Sequence, residues 1–282
     1  MGVGGAFIAG AGVAAGLGRA APLGQGLYGG SVQVGSGLGL LVTPFFLSWV
    51  GWRGAFLLWG LPGFISLVVW FFVNDGAETG RVTKLNLGSG LRSRAVWTLG
   101  LSHMGTFGLG NAIAPWLALY LVQQYGLSLP LAATLGAAAL LTGMFFRPLG
   151  GILIGRRIIG AIPLLRLGTC LGFLGVLVLI LPLHLPIVTA GGMALIAFGA
   201  TIPYTSVFNE AASLRNVSKG VAQSLASIIS IPAVLLGPPL IGFLLDRTGS
   251  YTPALGAILP FSLVAITASM LAGRAVARET TT

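Results

Sequence analysis

The chain reads as long apolar runs separated by short polar interruptions. Crossing about 30 Å of hydrocarbon takes about 20 helical residues, and nine runs approach that length, roughly 2–17, 26–49, 54–73, 95–122, 129–154, 160–181, 185–208, 220–245 and 252–273. The first is the weakest, because six glycines interrupt Met1 to Leu17. No basic residue precedes its apolar part, so a first membrane helix is expected there rather than a signal peptide.

One stretch recurs. Gly220 to Tyr251, GVAQSLASIISIPAVLLGPPLIGFLLDRTGSY, has an echo 194 positions earlier, where Gly26, Pro44 and Arg53 fall on Gly220, Pro238 and Arg247. Long hydrophobic segments in tandem halves of about 200 residues are the plan of one large class of secondary transporter. The connection from Asn74 to Arg94 is polar and carries Asp75, Glu78, Arg81, Lys84, Arg92 and Arg94. It divides the chain into a partial helical bundle at 1–73, a central loop at 74–94 and a six-helix bundle at 95–282. The 194-residue offset puts the counterpart of Ala95 at −99, so about a hundred residues of the first half, or three helices, are expected to be missing.

Composition agrees with a membrane protein: 55% of residues are hydrophobic, 7% are charged, and mean hydropathy is +0.96. The fold class expected is therefore all-α and polytopic, with the bilayer as the main partner. The net charge of +10 raises nucleic acid as a partner, but that needs a basic face on a soluble fold. Topology explains the charge instead. With alternate connections on one side, thirteen of the fifteen Lys and Arg residues share a face, and only Arg53 and Arg247 lie opposite. The basic face is expected to be cytoplasmic, together with the C-terminus. Short loops suggest a prokaryotic plasma membrane.

Cys170 is the single cysteine, so an intrachain disulfide and a cysteine metal cluster are excluded; its apolar surroundings suggest helix packing. All five carboxylates, Asp75, Glu78, Glu210, Asp246 and Glu279, fall in loops, near helix ends or in the tail. None of them is expected to carry a proton at mid-membrane, unless the absent helices hold such an acid. No phosphate loop, metal-ligand cluster or nucleophile beside a base is present, so neither an enzyme nor a cofactor is expected.

Several motifs resemble the major facilitator superfamily, whose members join two six-helix bundles by a cytoplasmic loop. GLYGGSVQVGSGLGLLVTP at 26–44 resembles that family's fifth helix, and GWRGAF at 51–56 the start of its sixth. RPLGGILIGRR at 147–157 resembles the end of its eighth helix and the loop after it; GPPLIGFLLDRTGSY at 237–251 resembles the end of its eleventh. The resemblance implies a fold of twelve helices, of which about nine are present here. It departs in two places. No acid stands between Gly150 and the basic pair Arg156 and Arg157, and Leu40 follows Gly26, Gly35 and Gly39 where drug antiporters of the family carry proline. The second departure counts against proton-coupled drug export.

Arg147 is the main candidate for chemistry. It lies about five residues, or about 7 Å, to the cytoplasmic side of its span's midpoint, with His103 at similar depth on the preceding helix. A cation there normally faces a cavity or a partner. Family porters of small anions such as nitrate use an arginine in helix eight, so the resemblance implies anion binding at Arg147. The opposing expectation is an arginine that snorkels to the interface. For His103 the simpler expectation is a histidine hydrogen-bonded within helix packing.

Asn111, near the middle of its span, is expected to face a central cavity with Trp116, Tyr120, Thr201 and Tyr204; Tyr28 and Gln33 are weaker candidates. Glycine pairs spaced by four, Gly12 with Gly16, Gly26 with Gly30 and Gly35 with Gly39, suggest close helix approach. Pro232, Gly237, Pro238 and Pro239 mark the eighth span as a flexible gate or a set of fixed kinks. The function expected is a secondary transporter of a small solute, possible substrates being a small or organic anion. Efflux of amphiphilic compounds is the alternative. A reading of another class is a truncated membrane protein that only binds or assembles with a partner. The sequence sets neither the substrate's identity nor the oligomeric state.

Overall fold

A computed structural model describes residues 10–72, 86–181, 183 and 185–281. The beginning of the first expected span and most of the central loop, including Asp75, Glu78, Arg81 and Lys84, lie outside the described residues. Those described form helices and connections, with no strand among them.

Helix α1, Ala21–Phe72, is broken at Gly51, whose φ of 66° lies where only glycine is unstrained. The break reverses the chain. Trp59 Nε1 donates to Thr43 Oγ1 at 2.9 Å, and the rings of Phe46 and Trp59 are 5.6 Å apart. Residues sixteen apart in a straight helix would be separated by about 24 Å. The two limbs match the spans expected at 26–49 and 54–73.

Helix α2, Leu87–Arg92, is short and capped by Asn86, whose side chain accepts from the Ser89 N–H. Ser93 likewise caps α3, Arg94–Tyr125, by accepting from the Val96 N–H. Then follow α4 (Leu129–Gly155), α5 (Ala161–Ile180), α6 (Pro186–Ser213), α7 (Lys219–Thr248) and α8 (Tyr251–Thr280). Gly126 and Gly249, both with φ of 65°, end α3 and α7. Pro232, Pro238 and Pro239 lie inside α7 without interrupting it.

Among the described residues, seven stretches are long and apolar enough to cross a membrane: Phe45–Val69 within α1, and α3 to α8. The difference from nine has two sources. The first expected span is only partly described, and the single stretch Phe45–Val69 runs across the Gly51 break, taking in the end of the run at 26–49 and most of that at 54–73.

Two apolar clusters hold the bundle. One gathers Val96, Leu99, Leu165, Phe208 and Ala222 from α3, α5, α6 and α7 toward the basic end. The other joins Ile113, Leu117, Ile241, Tyr251 and Leu255 from α3, α7 and α8 at the opposite end. Outside, Phe45, Phe56, Leu57, Phe71 and Phe72 are each at least 65% exposed, as expected of lipid-facing side chains. Cys170 is exposed too. The packing role expected for it is therefore corrected: it sits one residue past Thr169, which faces inward, and so turns outward on α5.

Candidate functional site

Arg147 sits on α4, just before Pro148, and is the largest side chain buried to 1% exposure. It does not snorkel. Its Nη1 donates to the carbonyl of Gly29 on α1 at 2.6 Å, and its Cζ lies 4.2 Å from the centre of the Tyr204 ring on α6. The interface expectation is thereby corrected: a carbonyl and an aromatic face from two other helices hold the cation inside the bundle. Neither partner neutralises it. Among the described residues no carboxylate pairs with Arg147, and its buried Nε has no hydrogen-bond partner. A buried donor without a partner is uncommon and costly.

Glycine makes the arrangement possible. A β-carbon at Gly29 would overlap the Tyr204 ring, and one at Gly26 would stand 2.5 Å from the Arg147 carbonyl oxygen. The same carbonyl accepts from Thr205 Oγ1 at 3.3 Å. Tyr204 is buried, and its hydroxyl has no hydrogen-bond partner.

His103 belongs to the next layer. Its ring stacks on Phe107 at 5.2 Å across the π turn Met104–Gly108 and meets Tyr204 and Phe208 edge-on at 6.1 and 5.4 Å. Its Nδ1 is 3.2 Å from Thr106 Oγ1. The structure thus brings Arg147, Tyr204 and His103 together, with His103 enclosed by aromatic rings.

Beside Arg147 lies a cavity of about 30 Å³, lined also by Gln33, Phe107, Asn111, Met193 and Thr201. That is room for about two water molecules. Asn111 lines it, with its Nδ2 donating to Phe107 O at 2.8 Å. Tyr204 does not line it and reaches the site through Arg147. Gln33, a weaker candidate in the sequence, is part of the wall. The Gly29 carbonyl was not anticipated, although the Gly29 and Gly30 pair marks a place where another chain can come close.

Trp116 and Tyr120 lie elsewhere. Trp116 Nε1 donates to Pro238 O on α7 at 3.1 Å, and the Tyr120 ring packs 4.9 Å from that of Tyr251. Trp116→Phe is accordingly expected to lower thermal stability in detergent by about 0.5–1 kcal/mol. Ligand responses of the folded protein should not change.

The glycines divide. Gly26 and Gly30 touch α4 closely, whereas a β-carbon at Gly35 or Gly39 would meet nothing within 4 Å. Close approach to another helix is thus found at Gly26 and Gly30 and not at Gly35 and Gly39 or at Gly12 and Gly16. Gly237 abuts Ala112 of α3.

The sequence profile described as Major Facilitator Superfamily matches residues 1–215. The chain belongs to this superfamily. Curated relatives include a probable anion transporter 6 of chloroplasts in Arabidopsis thaliana, 25% identical over 82% of this chain and 50% of that protein. The membrane protein MosC of Rhizobium meliloti is 28% identical over 67% and 46%. A probable nitrate transporter, NarT, of Staphylococcus epidermidis is 24% identical over 86% and 62%. The facilitator chain thus spans about half to three-fifths of these relatives. Among solved structures, a bacterial homologue of the human lysosomal transporter Spinster, inward-facing and occupied, superposes with a TM-score of 0.50. At 17% identity over 92% of this chain and 66% of that one, the likeness concerns the fold.

Proposed function

We propose that the chain forms much of a transporter that moves a small anion across the membrane by alternating access, with Arg147 as the counter-charge. The observation that carries this reading is a buried guanidinium that has an unpartnered Nε, pairs with no described carboxylate and lines a cavity with Asn111, Gln33 and Thr201. A cation in that setting is costly unless it meets an anion. Two relatives, described as a probable anion transporter and a probable nitrate transporter, point the same way.

In this reading residues 1–73 belong to one bundle and 95–282 to the other, and the two rock about Arg147. The amphiphile alternative relies on Trp116, Tyr120 and Tyr204, which stand outside the cavity. The membrane is proposed to be a prokaryotic plasma membrane with the basic face inward.

Thermal unfolding in detergent tests the reading, because a ligand that binds only the folded state stabilises it, by about 2.7 kcal/mol at a hundredfold excess over Kd. Nitrate or another small anion is expected to raise the melting temperature above that in gluconate at equal ionic strength. In liposomes it should also drive saturable tracer counterflow. If nitrate, chloride and sulfate all behave like gluconate, the anion reading is wrong.

A further inference from the structure

The wall of the Arg147 cavity climbs α3 through Asn111, Ala114 and Leu117, and α6 through Thr201, Ala197 and Met193. Spacings of three and four keep one face of each helix turned toward it. A second cavity, of about 410 Å³, continues both rows at the end of the bundle away from the basic face. Leu121 and Tyr125 line it from α3, Thr189 and Pro186 from α6, with Leu135 of α4 across from them. The rows keep their helical spacing from one cavity to the next, so the two lie along a single seam between α3, α4 and α6. Met193 stands in both walls.

The seam differs at its two ends. One turn past Arg147 toward the basic face, a β-carbon at Gly150 would overlap the Ile202 carbonyl of α6, and one at Gly151 the Pro22 carbonyl of α1. Backbone meets backbone there, and α4 is clamped from both sides. At the other end the helices leave a wide space between them, and Tyr125 Oη and Thr189 Oγ1, 2.5 Å apart, tie α3 to α6. What stands between the wide cavity and the narrow one is therefore a side chain and not a helix contact. Methionine suits that position, because its unbranched chain with three rotatable bonds adapts to gaps of different shape.

We propose that Arg147 is reached from the end opposite the basic face, along this seam, and that Met193 is the side chain that closes it. What travels the seam rests on the anion reading; the route itself can be probed without a ligand.

Thiol labelling in right-side-out and inverted membrane vesicles tests it, on a Cys170→Ala background that removes the exposed natural thiol. The probe is a small, membrane-impermeant methanethiosulfonate carrying a sulfonate. Ala190→Cys, in the wide cavity, is expected to react fast, and Ala197→Cys, one turn beyond Met193, slowly. Both should react only in the vesicles that expose the end opposite the basic face. Adding Met193→Ala should speed labelling of Ala197→Cys about tenfold, since the minor state of a two-state equilibrium is populated to at most about a tenth. Labelling of Ala190→Cys should keep its rate, which shows that the variant is folded. Equal labelling of Ala197→Cys from the basic face would overturn the route. A rate at Ala197→Cys that Met193→Ala does not change, or an equal change at Ala190→Cys, would overturn the gate and make Met193 a packing residue. Nitrate separates the two readings: it should slow labelling of Ala197→Cys relative to gluconate. The expected labelling pattern without any effect of nitrate would support the seam and count against the anion.

Discussion

Arg147→Ala is expected to weaken the stabilisation by nitrate about 100-fold in apparent affinity and to abolish counterflow, while barely changing the stability of the ligand-free protein. The two effects separate because the arginine contributes little to the fold. Its Nη1 bond to Gly29 O and its place over Tyr204 are worth a few kcal/mol. Burying a guanidinium with an unpartnered Nε costs a comparable amount. Removing it gives up both, so unfolding without ligand should shift by no more than about 1 kcal/mol. An anion that has lost a charge-assisted hydrogen bond in a water-poor cavity loses about 3 kcal/mol of binding. Arg147→Lys should keep part of the response, about a tenth of the affinity, since the ammonium retains the charge without the fork. An Ala variant with unchanged anion response would remove the site; one that fails to fold without ligand would make Arg147 a structural residue.

The spans were legible because hydrocarbon thickness sets the length of an apolar run: α3 to α8 follow the predicted runs within about three residues, except that α6 and α8 run on to Ser213 and Thr280. The burial of Arg147 was not. It depends on a carbonyl 118 residues earlier and a tyrosine ring 57 residues later, and no local pattern announces either. Trp116 was misplaced for a reason the sequence did contain. Five helical residues turn about 140°, so Trp116 faces away from Asn111 and toward α7. Tyr204 and Thr201 are three apart and should share a face, but the turn at Ile202 and Pro203 separates them. His103 lies beside a π turn that composition does not foretell. The glycine pairs make the same point: identical spacing at Gly26 and Gly35 cannot say which pair another helix approaches.

That ambiguity gives two matched substitutions opposite signs. Gly35→Ala is expected to raise thermal stability by up to about 1 kcal/mol, because alanine restricts the unfolded chain and the added carbon meets nothing within 4 Å. Gly26→Ala gains the same helix preference but places its methyl 2.5 Å from the Arg147 carbonyl oxygen and 2.7 Å from Pro148 Cα. Both obstacles are backbone, so α1 and α4 must move apart, at a cost of about 1–3 kcal/mol. The net result should be destabilisation. Separation would also draw Gly29 O away from Arg147 Nη1, so the anion response should fall in Gly26→Ala and stay unchanged in Gly35→Ala. Thermal unfolding of the two variants side by side, with and without nitrate, measures both effects. Equal stabilisation by both substitutions would mean that α1 and α4 do not pack at Gly26, and the second helix supporting Arg147 would be lost with that contact.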